Sequence, residues 1–237
     1  MGLLTPNSID AAILCGGLGT RLRSILGEKP KPMVDINGVP FLEIIYRQLI
    51  GAGFRKMVFL TGYQGDVVQA YFHGRRDIFF SQEPSPLGTA GALKFAEPFL
   101  SGTILLMNGD SFCDIDFSGF AQFHEKSGAL VSIAVVPAGD RNDGGFIRVG
   151  SDNNILSFAE KSPGESSFIN AGIYLIDPKL LGGIPKNKPC SLEYDIFPFL
   201  DVGLVKAYMI SQPLFDIGTP ERLAEFKEKY SSIGDAL

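Results

Sequence analysis

Short apolar runs and amphipathic stretches alternate along the first half of this chain, and that alternation limits the folds open to it. Asp10–Leu14 (DAAIL), Lys56–Thr61 (KMVFLT), Asp77–Gln82 and Thr103–Met107 read as strands. Phe41–Ala52, with apolar residues at 41, 42, 44, 45 and 49, reads as a helix that lays one face on a sheet, and Gln64–Phe72 reads as another. The stretch GTAGALKFAEPF, from Gly88, reads as a helix stopped near Pro98, because the residue before a proline avoids helical backbone. Strands that are apolar on both faces need cover on both faces, so the alternation implies βαβ units and a mostly parallel sheet. The predicted class is α/β: a Rossmann-like three-layer sandwich about a mixed, mostly parallel central sheet.

The texture changes after Asp116. A helix near Phe117–Lys126 leads into ALVSIAVVP, GGFIRVG, NILSFAEK and FINAGIYLI, which read as strands with turns between them. They predict a β-rich second part that inserts or adds strands to the same sheet. Thr219-Pro220-Glu221 starts a last helix, with an N-cap, a proline at the first position and an acid in the first turn, running to about Tyr230. No repeat, low-complexity tract or linker divides the sequence. It is read as one domain over 1–237, with parts at about 9–115 and about 116–220.

Composition excludes several classes. The 237 residues carry a net charge of -5, which argues against general nucleic-acid binding. No apolar run reaches the ~18–20 residues of a membrane span. The start, MGLLTPNS, has neither the basic flank nor the apolar core of a signal peptide, and Pro6 breaks the myristoylation pattern. Cys15, Cys113 and Cys190 have neither zinc-ligand nor disulfide spacing. They read as buried or semi-buried thiols in a reducing compartment, and the expected location is the cytoplasm.

Positive charge gathers in one loop, LCGGLGTRLRSILGEKPKP, from Leu14 to Pro32. A glycine-rich loop after a first strand lets backbone N–H groups approach phosphate oxygens, and Gly16, Gly17 and Gly19 are the candidates. Arg21 adds a planar donor fork, and Lys31 adds a point charge stiffened by Pro30 and Pro32. Other phosphate loops fit badly. The dinucleotide fingerprint would need glycine or alanine where Leu22 stands, and a Walker A loop needs a Gly-Lys dipeptide, which is absent.

The series Gly16-Gly17-Leu18-Gly19-Thr20-Arg21-Leu22, then Pro30-Lys31-Pro32, resembles the signature of the sugar-1-phosphate nucleotidylyltransferases. PLGTAGAL (Pro86–Leu93), NGD (Asn108–Asp110), EK (Glu160-Lys161), NAGIYL (Asn170–Leu175) and FDIGTP (Phe215–Pro220) extend the resemblance from Ala11 to about Leu223. It implies a reaction between a nucleoside triphosphate and a sugar 1-phosphate that releases pyrophosphate. It also implies a nucleotide-binding first part and a β-rich sugar-phosphate-binding second part; the sequence given ends soon after its last helix, so the C-terminal left-handed β-helix that some members carry is not expected.

By the same resemblance, Arg21 grips the triphosphate and Lys31 bridges the reacting phosphates. Asp110 and Asp216 match the family's two metal aspartates and would hold Mg²⁺. Leu14, Gly16, Gly17, Gly19, Thr20, Gln82, Gly88 and Thr89 fall on the nucleotide side. Gly145, Glu160, Lys161 and Asn170 fall on the sugar-phosphate side. SLEYDIFPF (Ser191–Phe199) resembles a helix bordering the sugar pocket, although core packing explains most of it. The attacking phosphate is already anionic at neutral pH, with a second pKa of about 6, so no protein base is needed. His73 and His124 are therefore read as incidental and surface-leaning.

PLGTAGAL and DINGVPFLEIIYRQL look most like the D-glycero-α-D-manno-heptose 1-phosphate guanylyltransferases, with GTP as donor. Mannose-1-phosphate guanylyltransferase and N-acetylmuramate 1-phosphate uridylyltransferase are the alternatives. A non-catalytic nucleotide-sugar-binding regulatory subunit is disfavoured because Arg21, Lys31, Asp110 and Asp216 are all retained. A dinucleotide-dependent oxidoreductase is disfavoured by Leu22. The implied partners are a nucleoside triphosphate and a sugar 1-phosphate, with no nucleic acid and no membrane. A homo-oligomer is compatible with the sequence but not derivable from it.

Overall fold

The computed structural model describes residues 3–17, 19, 22, 26–27, 29–139, 141, 144–159 and 168–233, with backbone alone for 231–233. In chain order the elements are β1 (Asp10–Leu14), β2 (Asp35–Ile36), β3 (Val39–Pro40), α1 (Phe41–Gly51), β4 (Met57–Thr61), α2 (Gly65–Tyr71), β5 (Ile78–Gln82), α3 (Gly88–Phe95) and β6 (Ile104–Asn108). There follow β7 (Ser111–Cys113), α4 (Phe117–Ser127), β8 (Val131–Pro137), β9 (Phe146–Val149), β10 (Ile155–Ala159), β11 (Phe168–Ile176), β12 (Val205–Met209), β13 (Leu214–Asp216) and α5 (Pro220–Ile233).

Among the described residues nine strands form one sheet, along the path β10-β9-β11-β6-β1-β4-β5, with β8 beside β11 and β12 beside β8. β5, β4, β1 and β6 run parallel, and β11 lies antiparallel to β6. Alternate residues of β1 enter different apolar layers. Ala11 and Ile13 pack with Phe41, Phe120 and Phe226, while Ala12 packs with Ala90, Leu93 and Leu192. A strand buried on both faces reads as a continuous apolar run, which is why DAAIL is legible as one. The three-layer α/β expectation holds, and the described residues contain no β-helix.

Several elements were not anticipated. The β2–β3 hairpin and the β7–β13 ladder are too short to show periodicity, and β12 pairs in parallel with the distant β8. SLEYDIFPF is helical as expected, but as a single π turn over Leu192–Ile196 and a 3₁₀ turn over Phe197–Phe199. The histidine reading holds for His73, which is exposed, and fails for His124. His124 is 5% exposed, and its Nδ1 lies 2.8 Å from Ser132 Oγ. Its place on α4 faces β8, so burial lowers its pKa to about 4. All three cysteines are buried, as expected.

β11 carries the irregularity that shapes the second half. Against β8, Asn170 pairs with Val135 and Tyr174 with Ile133, so β11 spends two extra residues between them. Gly172 sits in this bulge at φ +70, and a Cβ there would collide with the Asn108 amide. The bulge folds Asn170 back until its Nδ2 donates to Tyr174 Oη at 2.9 Å.

Candidate active site

A cleft of about 570 Å³ opens at the carboxyl ends of β1, β4 and β6, where ligands of parallel α/β sheets bind. Eight residues expected from the sequence line it: Leu14, Gly16, Gly17, Gly19, Lys31, Gly88, Thr89 and Asp110. Gly19 adopts φ +57, and a Cβ on it would press 3.1 Å from Lys31 Cβ, so the glycine loop packs directly on the lysine stem. Gly88 adopts φ +71, and a Cβ there would lie 2.6 Å from the Cys190 carbonyl oxygen. Thr20 and Arg21 lie outside the described residues.

Lys31 stands in a 3₁₀ turn (Lys31–Met33) whose flanking prolines fix its approach. Its Nζ donates to Asp110 Oδ2 at 2.6 Å, and its side chain is only 14% exposed. Asp110 and Asp216 are brought together by the β7–β13 ladder rather than by strands of the main sheet. Asp216 pairs with Ser111, and the Ile217 N–H donates to the Asp110 carbonyl at 3.0 Å. Arg222 Nη1 donates to both Asp216 oxygens at 3.0 Å, and Arg141 Nη1 stands 3.5 Å away. Three cations thus surround two carboxylates, a balance suited to a polyanionic ligand. Among the described residues no group of three or more His, Cys, Asp or Glu forms a metal cage. Two carboxylates do suit Mg²⁺, which takes one or two of them and completes its shell with phosphate oxygens and water.

A second hollow, of about 640 Å³, shares Thr89 and Asn108 with the first. Gly145 and Asn170 line it, and the Asn170 N–H donates to the Gly145 carbonyl at 2.9 Å. Glu160 and Lys161 lie outside the described residues. Two further groups in this hollow escaped the sequence reading. Tyr174, 1% exposed, donates its hydroxyl to Glu193 Oε1 at 3.0 Å. Burial first, and then the Glu193 charge, holds the Tyr174 pKa well above its ordinary value. Glu193 Oε2 accepts from Thr89 Oγ1 at 2.7 Å and from Ser191 Oγ at 2.8 Å.

Gln82 stands apart from the cleft. It is exposed, accepts from Gln69 Nε2 at 2.9 Å, and lines an adjoining hollow with Gly62 and Tyr63. Glu83, one residue later, lines both. A Cβ on Gly16 or Gly62 would stand 3.2 or 2.9 Å from Glu83 Oε1, so two glycines make room for this carboxylate. Its Oε2 accepts the Leu87 N–H at 3.1 Å, and burial raises its pKa. The signals that could have found these groups were an acid directly before Pro84 and the first of two acids, Glu193 and Asp195, in the mostly apolar Leu192–Phe199 stretch.

The profile of the nucleotidyl transferase family matches residues 10–233. A D-glycero-alpha-D-manno-heptose 1-phosphate guanylyltransferase of Campylobacter jejuni is 33% identical over 221 residues, covering 92% of this chain and 98% of that protein. The crystal structure of HddC from Yersinia pseudotuberculosis, 32% identical, superposes with a TM-score of 0.83 over 94% of this chain and 99% of its own. HddC has also been solved complexed with GMP-PN. The mannose-1-phosphate guanylyltransferase catalytic subunit beta of Drosophila pseudoobscura is 35% identical over 81% of this chain, which spans 54% of that relative.

Proposed function

The chain belongs to the nucleotidyl transferase family, and from that premise we propose that it joins GTP to D-glycero-α-D-manno-heptose 1-phosphate, giving GDP-heptose and pyrophosphate. The observation that carries the choice of base is Glu83. Its carboxylate is partly desolvated against Gly16 and Gly62, and among the described residues only the Leu87 N–H donates to it. Guanine presents N1–H and an exocyclic amine side by side, and a carboxylate accepts both. Uracil presents carbonyl oxygens around its one N–H and leaves the carboxylate poorly paired. The sugar assignment is supported by relatives of matching length that carry the heptose name. Mannose 1-phosphate is the second reading, favoured by the identity to the Drosophila subunit.

In this reading a phosphate oxygen of the sugar substrate attacks the α-phosphorus. The new P–O bond forms as the bond to the β-phosphate bridging oxygen breaks, and that electron pair leaves with pyrophosphate. Lys31 stabilises charge as it moves between the phosphates, and the glycine loop offers backbone N–H groups that need no reorganisation. Arg222 and Arg141 offset the charge of Asp216. Asp110 and Asp216 would hold Mg²⁺, which would supply charge neutralisation for the phosphates.

The test is a matrix of nucleoside triphosphates against sugar 1-phosphates, read by pyrophosphate release with Mg²⁺ or with EDTA, on the wild type and Glu83→Gln. GTP should exceed UTP by more than about tenfold in kcat/KM, and Glu83→Gln should shrink that ratio. UTP exceeding GTP by that margin would overturn the base assignment. Undiminished turnover in EDTA would remove the metal.

A further inference from the structure

The segments that line the two hollows are sewn together. The Cys190 carbonyl accepts from the N–H groups of Ala90 and Gly91 at 3.0 and 3.1 Å, and the Cys190 N–H donates to the Leu87 carbonyl at 2.8 Å. The Leu192 N–H donates to Thr89 Oγ1 at 2.8 Å, which leaves the Thr89 hydroxyl hydrogen directed at Glu193. Residues 87–91 and 190–193 therefore form one body, with Glu83 gripping it at the Leu87 N–H. From there the bonds run through Tyr174 to Asn170, whose Oδ1 accepts the Gly172 N–H at 2.9 Å.

Counting lone pairs shows what this leaves for a ligand. A carboxylate oxygen accepts about two hydrogen bonds. Glu193 Oε2 takes the Thr89 and Ser191 hydroxyls, whereas Oε1 takes Tyr174 alone among the described residues. Asn170 spends one amide hydrogen on Tyr174, and no partner takes the other among the described residues. Among the described residues the hollow thus includes a held acceptor and a held donor, a pair that matches a sugar hydroxyl.

We propose that Thr89, although it lines the nucleotide cleft, is a positioning residue for the sugar: its hydroxyl holds Glu193 so that Oε1 accepts a sugar hydroxyl. The inference rests on the transferase reading above and adds a specificity role to it. Thr89→Val keeps the shape and removes both hydroxyl bonds, and Thr89→Ser keeps the hydroxyl. At saturating GTP, Thr89→Val should raise the KM for the sugar 1-phosphate about tenfold. GTP affinity, measured by calorimetry without sugar, should stay within about twofold, and Thr89→Ser should restore the sugar KM. Because Thr89→Val also strips the Leu192 N–H of its acceptor, Glu193→Gln serves as the second probe. It should shift the sugar KM in the same direction, and the double variant should be no worse than Glu193→Gln alone.

A sugar KM unchanged in both single variants, or a loss falling on GTP affinity instead, would overturn the proposal. So would fully additive effects in the double variant. Absence of pyrophosphate release from the wild type with every substrate pair would overturn the parent reading, and this one with it.

Discussion

The two hollows that meet at Thr89 and Asn108 solve recognition by opposite means. The nucleotide cleft is made of loops that leave parallel strands, with bare backbone at Gly16, Gly17 and Gly88 and the Lys31 ammonium in its wall. The sugar pocket is made of side chains that hold one another, on a bulged antiparallel strand and a π-turn. A phosphate chain is a broad target of charge, which backbone donors and ammonium groups meet from many angles. A hydroxyl is a directional target, and the group that meets it must first be fixed. Damage to the cleft should therefore appear in turnover, and damage to the pocket in the sugar KM.

The substitution with the largest expected effect tests the first half of that contrast. Lys31→Ala should lower kcat about 10²–10³-fold while weakening GTP binding far less, because a positioned cation counts most where charge moves. Steady-state kinetics together with GTP titration check it, and a loss confined to KM would erase the contrast. Gly172→Ala tests the second half. It forces a left-handed backbone at a cost of about 1–2 kcal/mol and pushes on Asn108. The melting temperature should fall several degrees, and the sugar KM should rise more than the GTP KM.

The smallest effect on catalysis belongs to His124, which lines neither hollow. The native state keeps this ring neutral down to about pH 4, whereas the unfolded chain takes up the proton nearer the ordinary 6.5. Between those values the unfolded state binds more protons, so the stabilisation is complete above about pH 6.5 and is lost as pH falls toward 4. His124→Gln should flatten the acid limb of the melting profile by roughly a few degrees and leave both KM values at neutral pH alone. An unchanged acid limb would show that the ring does not report on unfolding.

The same contrast explains what the sequence disclosed. β1, β4 and β6 were legible because burial on both faces writes an unbroken apolar run, and Gly16, Gly19 and Lys31 because phosphate loops concentrate such residues locally. The sugar network was not legible. Thr89, Asn170, Tyr174 and Glu193 meet only through a two-residue bulge and a π-turn, and neither leaves a periodic trace. Gln82 and Glu83 are neighbours at the end of β5, yet only Glu83 lines the cleft. The neighbourhood was right, but the end of a strand decides which of two adjacent side chains faces the ligand. The β7–β13 ladder, with three residues on each side, is below what periodicity can resolve.

That ladder also fixes when the centre can exist. Asp110 and Lys31 belong to the part of the chain synthesised first, but Asp216 emerges roughly a hundred residues after Ser111, the residue it pairs with. A ribosome that has finished the nucleotide cleft has made a surface with loops and a lysine but only one of the two carboxylates. The second arrives with β13, the last strand among the described residues, and α5 then delivers Arg222 to it. The acidic pair can be assembled only after every described strand of the main sheet has been made.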